Sequence, residues 1–221
     1  MKDPLEKLVE RLTQMELRLL TAEDFRSHEV LDRVRAAEVK LSDSQCESFE
    51  LSASLLEAVD FSNCRWAKTV LQEVHAQRCP ATNAWFCDSR WQDVVWEKSR
   101  LTGVNLAGTR LDSVRFCGSK LDLMIAHECS LQDVWFEKCD LKEADFQNAN
   151  LRRVTFRECD LRSARFPAAR IEDVDWRGSH LAGMSLDAMN LKRGVVDPAQ
   201  VLDFARLLGL EVKPLDGEKG D

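Results

Sequence analysis

Every fifth residue from Leu41 to Val196 is apolar, 32 positions in succession without a slip of register. All but Cys46, Ala76, Ala81 and Ala126 are Leu, Ile, Val, Phe or Trp. A helix buries residues at a spacing of about 3.6 and a half-buried strand at about 2. A period of five sustained over this length predicts a repeat architecture instead. Two residues before each large side chain the residue is usually small, as at Cys64, Ala84, Thr109, Cys129, Ala144, Cys159 and Ala164. Residues i and i−2 of an extended segment point the same way. Each unit therefore sends one large and one small side chain inward and then turns a corner. The other three positions are mostly charged, polar or Gly, and face water.

A period of twenty lies on top of the first. Trp96, Phe116, Phe136, Phe156 and Trp176 recur at that interval, and Val94, Val114, Val134, Val154 and Val174 precede them by two. Leu101, Leu121, Leu141, Leu161 and Leu181 form another such series. Four units therefore make one coil and each coil stacks on the last. The expected fold is an all-β, four-sided solenoid of about eight coils, on the order of 38 Å tall at an inter-strand spacing of roughly 4.8 Å.

Units such as Ala144-Asp145-Phe146-Gln147-Asn148, Ala149-Asn150-Leu151-Arg152-Arg153, Cys139-Asp140-Leu141 and Cys159-Asp160-Leu161 resemble the A(D/N)LXX signature of pentapeptide repeat proteins. The resemblance covers roughly residues 37–198. It implies the family fold, a right-handed quadrilateral β-helix.

The termini are expected to differ from the shaft. Residues 4–20 predict an amphipathic helix, with Asp3 as cap, Pro4 in the first turn and Leu5, Leu8, Val9, Leu12, Met15, Leu19 and Leu20 as its stripe. A second helical stretch over about 22–34 starts at Thr21, with Asp24 as capping partner and Phe25, Leu31 and Val34 buried. Two readings of the first helix stand open: it caps the first coil, or it dimerises through the heptad pattern Leu5, Leu8, Leu12, Met15, Leu19 and Ala22. At the other end Asp197 and Pro198 read as N-cap and first helical residue, followed by Val201, Leu202, Ala205 and Leu208, with Gly209 as the stop. Leu210, Val212 and Pro214 continue as an extended tail. The resulting division is a helical cap or dimerisation segment at 1–36, the β-helix at 37–196, a capping helix and tail at 197–215, and disorder at 216–221.

The pattern Gly194-Val195-Val196-Asp197-Pro198, a short helix, then Leu208-Gly209-Leu210-Glu211-Val212 resembles the end of the quinolone-resistance (Qnr-type) pentapeptide proteins. In that group the region caps the solenoid and supports a symmetric dimer. Their solenoids resemble B-form DNA and engage DNA gyrase or topoisomerase IV, so the resemblance implies a DNA-mimicking modulator that confers fluoroquinolone protection. Charge points elsewhere. The chain is −7 overall, yet residues 41–196 carry 23 Asp+Glu against 20 Lys+Arg. A duplex mimic presents sustained negative potential.

Composition narrows the remaining classes. No basic stripe of the kind that binds nucleic acid directly is visible, and no stretch reaches the ~18 apolar residues of a membrane span. The charged N-terminus does not read as a signal peptide, so a cytoplasmic location is the default expectation. Of eight cysteines, Cys64, Cys79, Cys129, Cys139 and Cys159 fall at the small inward position and Cys46 at a large one; only Cys87 and Cys117 fall outward. They read as compact hydrophobes and free thiols, although stacked Cys139 and Cys159 could cross-link under oxidation. No Cys/His cluster has metal-ligand spacing. His28, His75, His127 and His180 are scattered through the register, and no phosphate-binding loop occurs; Gly103 and Gly108 are corner glycines. No catalytic, cofactor-binding or metal-binding residue is therefore assigned.

What remains is a set of apolar residues at outward positions: Val70, Trp85, Val95, Ile125, Trp135 and Val195. Large side chains of this kind mark contact surfaces. Trp85, Val95, Ile125 and Trp135 are the candidate partner surface, with Val95 and Trp135 on one face two coils apart. The expected function is a non-enzymatic, rigid protein-interaction scaffold, the gyrase or topoisomerase IV modulator being the alternative.

Overall fold

The computed structural model describes residues 4–207 and 209–213. It is a parallel β-solenoid of about nine turns, one more than the pentad count implies, with an N-terminal helix and a short C-terminal helix. Nine inward residues trace the first of its four faces: Leu31, Leu51, Leu71, Trp91, Leu111, Leu131, Leu151, Ile171 and Leu191, each paired with the next in parallel register. The second face follows Leu56, Ala76 and Trp96, the third Phe61, Ala81 and Leu101, the fourth Trp66, Phe86 and Leu106. Every pentad-centre residue from Leu41 to Leu181 is buried, and Leu186, Leu191 and Val196 at the open end are partly buried. Strands of eight residues, such as Arg110–Cys117 and Ser130–Glu137, wrap the first two faces, while the third is held by isolated bridges and the fourth by isolated bridges between two short strand pairs, Gln45–Glu47 with Arg65–Ala67 and Arg165–Phe166 with Ser185–Leu186.

A five-residue side needs a sharp corner, and one backbone conformation supplies it. Every fifth residue from His28 to Gly183 lies in the left-handed region, with φ between 44° and 75°. Outside glycine that conformation costs roughly 1–2 kcal/mol per residue. The ladder offsets it, because the corner amide donates to a carbonyl of the next coil. Asn63 N bonds Thr82 O at 2.8 Å, Asn83 N bonds Thr102 O at 2.9 Å, Gly103 N bonds Asp122 O at 2.8 Å, and Leu123 N bonds Lys142 O at 2.8 Å. Gly103 has a second reason to lack a side chain, since a Cβ there would stand 2.6 Å from the Asn83 side-chain oxygen.

The Asp or Asn that precedes many pentad centres has an equally local role. Asp60, Asn105, Asp145 and Asp175 each accept a bond from the backbone N–H two residues on, at 2.9, 3.0, 3.1 and 3.0 Å. This is an Asx turn, which pre-shapes the bend. Inside, rings stack coil upon coil. Phe136 lies 5.0 Å from both Phe116 and Phe156 in near-parallel planes. The small inward positions carry hydroxyls that bond up the stack, as where Thr69 Oγ1 donates to Ser89 Oγ at 2.9 Å.

Both ends depart from expectation. Helix α1 (Pro4–Gln14) stops short of residue 20 and lies along the flank instead of across the first coil. Leu5, Leu8 and Leu12 are buried against Ala53, Leu55, Val95 and Trp135, so the stripe is spent within the chain. No helix forms over 22–34. Thr21 and Asp24 do make the expected capping box, but around one 3₁₀ turn, Ala22–Asp24, followed by strands Val30–Asp32 and Val34–Ala37. The reason is register: Leu31 and Ala36 are pentad centres that pair with Leu51 and Leu56, and the pairing outweighs helix propensity. The stack thus begins before residue 37. Leu20 and Phe25 cover its first coil, Phe25 resting 5.6 Å from Phe49 and 5.8 Å from Trp66.

At the far end Asp197 caps a 3₁₀ turn, Pro198–Gln200, that runs into α2 (Val201–Leu207), and the Gly209 amide closes it on Arg206 O at 2.9 Å. The residue that faces the core is Phe204, 5.3 Å from Trp176, whereas Val201 and Leu202 are each 53% exposed. The expectations for Asp3, Leu208, Pro214 and 216–221 lie outside the described residues.

Replacing Phe136 by Ala opens a hole in the middle of the ring stack and should cost about 3–5 kcal/mol. The outward Thr155→Ala, one coil away, should change stability by no more than about 0.5 kcal/mol. Urea unfolding followed by circular dichroism compares the two; equal losses would contradict the inward stack.

Candidate interaction surfaces

With the interior filled, whatever the chain recognises must meet its flanks or ends. Several flank charges are answered by an opposite charge one coil away. Arg153 reaches Asp133 at 2.6 Å, Lys68 reaches Glu47 at 2.6 Å, Arg193 reaches Glu172 at 2.5 Å, and Arg78 and Arg35 both engage Glu57. The Arg153 guanidinium holds the Asp133 carboxyl below the usual carboxylate range, and Arg162 does the same for Asp160. Exposed pairs of this kind add little stability each, and with 23 Asp+Glu against 20 Lys+Arg over residues 41–196 the shaft is close to neutral overall.

On the fourth face the outward ladder runs Arg65, Trp85, Asn105, Ile125, Asp145 and Arg165, each bridged to the next. Trp85 is 44% exposed, with the Arg65 guanidinium 4.7 Å from its ring centroid. Leu123, at the neighbouring corner, is 50% exposed. Asp145 closes the apolar stretch, with Arg165 and the His127 Nε2 (3.2 Å) on its carboxylate. Burial works against its ionisation, yet those two bonds hold Asp145 below the ordinary range.

The second face carries Leu55, His75, Val95, Arg115 and Trp135 in the same outward register. Here α1 intervenes. Val95 is buried beneath it, and Trp135 is half-buried at its edge with the Arg115 guanidinium 5.8 Å from its ring. His75 is buried too, its Nε2 3.3 Å from Glu97; burial outweighs that carboxylate and lowers the imidazole pKa. The four sequence-predicted residues therefore form two pairs on opposite flanks, exposed Trp85 with half-buried Ile125, and Val95 beneath the helix with Trp135 at its edge. Leu55 escaped the sequence reading, although its outward position matches that of Val95. The stripe of α1 implied that some surface is covered, but not which one.

Polar hollows on the surface are committed to structure. One, of about 510 Å³, is lined by Asp160, Arg162, His180, Asp197, Gln200 and Asp203 among others. Asp160 is paired with Arg162 and Lys142, and Asp197 caps the final turn. Gln200 Nε2 donates to Trp176 O and Ser179 O, both at 2.7 Å. Among the described residues no group of three or more His, Cys, Asp and Glu is placed to hold a metal ion, and no helix is long and apolar enough to cross a membrane.

Against known proteins, a family model for the pentapeptide repeat region matches residues 89–166 and 129–196. Full-length QnrB1, a plasmid-mediated fluoroquinolone resistance protein, is similar in structure with a TM-score of 0.51 at 18% identity, over 88% of this chain and 99% of that one. A trypsin-treated QnrB1 variant gives 0.46 at 18% identity over 89% and 98%. HetL, a pentapeptide repeat protein involved in heterocyst differentiation regulation in the cyanobacterium Nostoc sp. strain PCC 7120, gives 0.25 at 13% identity over 88% and 95%. At such identities the likeness to full-length QnrB1 is one of fold. No curated protein matches the sequence.

Burial pushes the Cys64, Cys79 and Cys129 thiols up to about 12, so they hold their protons at neutral pH. A thiol-disulfide reagent applied at about pH 8 should leave these three unmodified in the native protein and reach them only in denaturant. Rapid labelling of any of them in the folded state would contradict the packed interior.

Proposed function

We propose that this chain, a pentapeptide repeat protein, works as a non-enzymatic, rigid protein-interaction scaffold whose contact surface is the fourth face from Trp85 to Ile125. The observation that supports this most is Trp85 itself. An indole 44% exposed on a ladder it shares with Arg65, Asn105, Asp145 and Arg165 is the kind of anchor that concentrates binding energy. Ile125 and the exposed Leu123 extend the apolar centre, while Arg65 at one end and Asp145 with Arg165 at the other supply a polar rim. Because the coils are cross-linked along their whole length, the surface is preorganised, and a partner need not supply the free energy of ordering it. Affinity capture with the full chain should retain a stoichiometric partner that Trp85→Ala weakens by at least about tenfold, the loss of one hot-spot side chain. Equal retention by wild type and variant would remove the fourth face from the reading.

A second reading draws on the fold shared with full-length QnrB1. In it the shaft mimics duplex DNA and modulates DNA gyrase or topoisomerase IV, with fluoroquinolone protection as the consequence. The near balance of charge, 23 Asp+Glu against 20 Lys+Arg over residues 41–196, weighs against it, since a mimic of the duplex presents sustained negative potential. A supercoiling assay with and without a fluoroquinolone separates the two. The scaffold reading expects no change in supercoiling or in drug-stabilised cleavage at micromolar protein; relief of drug inhibition would favour the mimic.

A further inference from the structure

Of the eight cysteines, Cys139 and Cys159 alone stand twenty residues apart, so they occupy adjacent rungs of one inward ladder. Serines surround them on it. Cys79 N donates to Ser99 Oγ, Ser99 N to Ser119 Oγ and Cys159 N to Ser179 Oγ, each at 3.0 Å. The register of the pair is pinned on both sides. Lys138 N bonds Arg157 O at 2.9 Å, Asp160 N bonds Cys139 O at 2.9 Å, and Leu141 N bonds Asp160 O at 2.8 Å. Rungs lie about 4.8 Å apart, inside the Cα separation of roughly 4.4–6.8 Å that a disulfide spans. The backbone therefore need not move for the two sulfurs to join.

Both thiols are free and only weakly held. Cys139 Sγ donates to Phe116 O and Glu137 O, both at 3.3 Å, and Cys159 Sγ to Phe136 O at 3.2 Å and Arg157 O at 3.3 Å. A thiol is a weak donor, so turning one side chain toward the other gives up little. The pair is also unequal in acidity. The hydrogen bond between the two sulfurs raises the Cys139 thiol and, against burial, holds the Cys159 thiol below its ordinary value. Cys159 is thus the better nucleophile. Cys139 is 3% exposed and lies behind the corner at Gly118, whose amide bonds Glu137 O at 2.8 Å and which has no side chain to thicken the wall. Access on that scale favours a hydroperoxide, little larger than water, over a bulky thiol reagent.

We propose that Cys139 and Cys159 form a modification site at which a hydroperoxide closes an intramolecular disulfide, a reversible staple between adjacent coils. The Cys159 thiolate attacks hydrogen peroxide, the O–O bond breaks, and the sulfur becomes a sulfenic acid while the other oxygen takes up a proton and leaves as water. The Cys139 sulfur then attacks the sulfenic sulfur and expels its oxygen as a second water. Two thiols and one peroxide give one disulfide and two waters, with two electrons passing from sulfur to peroxide. The bond closes a loop across twenty residues and restricts the unfolded chain, so the oxidised shaft resists denaturant better. The site belongs to the inward ladder, so it stands or falls apart from the fourth-face reading.

The test treats the reduced full chain with hydrogen peroxide, alkylates it in denaturant and digests it with trypsin. Cleavage isolates Cys139-Asp140-Leu141-Lys142 and Glu158-Cys159-Asp160-Leu161-Arg162. Mass spectrometry should find these two peptides joined, with Cys64, Cys79 and Cys129 alkylated, and dithiothreitol should separate them. The oxidised chain should unfold at a higher urea concentration than the reduced one, whereas peroxide should leave the midpoint of Cys159→Ser where it was. Should that variant fold poorly, Cys139→Ser, which extends the run from Ser119, serves the same comparison. Cys139 and Cys159 both still alkylated after peroxide overturns the assignment. So does a disulfide from either to a third cysteine, a sulfinic or sulfonic acid at either position, or an unmoved midpoint in the cross-linked chain.

Discussion

The hydrogen-bond ladder between residues twenty apart is the constraint on which everything else in this molecule depends. Turning a corner every five residues forces left-handed backbone at positions occupied by Lys68, Arg78, Ala58 and Leu123, none of which favours it. Such a corner is tolerable only where its amide meets a carbonyl of the next coil, as Lys68 N meets Cys87 O at 2.9 Å. No coil is stable alone; each depends on its neighbours, as in other repeat architectures. The same dependence explains why the first and last coils carry covers of Phe25 and Phe204, which shield the open faces of Trp66 and Trp176.

A shaft built this way has little freedom inside and much outside. The inward pair of each unit is fixed by packing, so chemistry that distinguishes this chain must be written at the remaining positions. There the four flanks behave as separate surfaces. Acids and bases there nearly balance in number and several pair between coils, which leaves apolar residues as the informative departures. One such group, around Trp85, meets solvent, and the other, around Val95, is roofed by the chain's own helix.

Period and register were legible in the sequence because burial is what the five-residue spacing records, from Leu41 through to Leu181. The left-handed corners were less so. Asn63, Asn83, Gly103 and Asn148 carry that signal, but Lys, Arg, Glu and Ala at equivalent positions mask it. Helix propensity misled at residues 22–34, where Leu31 and Ala36 are held by Leu51 and Leu56. Phe204 was passed over since Val201 and Leu202 offered an equally apolar helical face, and only the position of Trp176 decides between them. Of the candidate surface, the outward direction of each residue could be read from the register. Which residues share a flank, and that α1 covers Val95, depend on where a terminal segment folds back, and no local pattern records that.

Native-state hydrogen exchange at the corners addresses the central claim most directly. Amides of Asn63, Asn83, Gly103 and Leu123 belong to turn residues on the rim of the shaft, where an ordinary loop amide would exchange quickly. If each is a rung of the ladder, they should be protected to a degree close to that of Val114 and Val134 in the long strands. Corner amides that exchange as fast as an unstructured peptide, with the strands alone protected, would show that the coils are not tied at their corners.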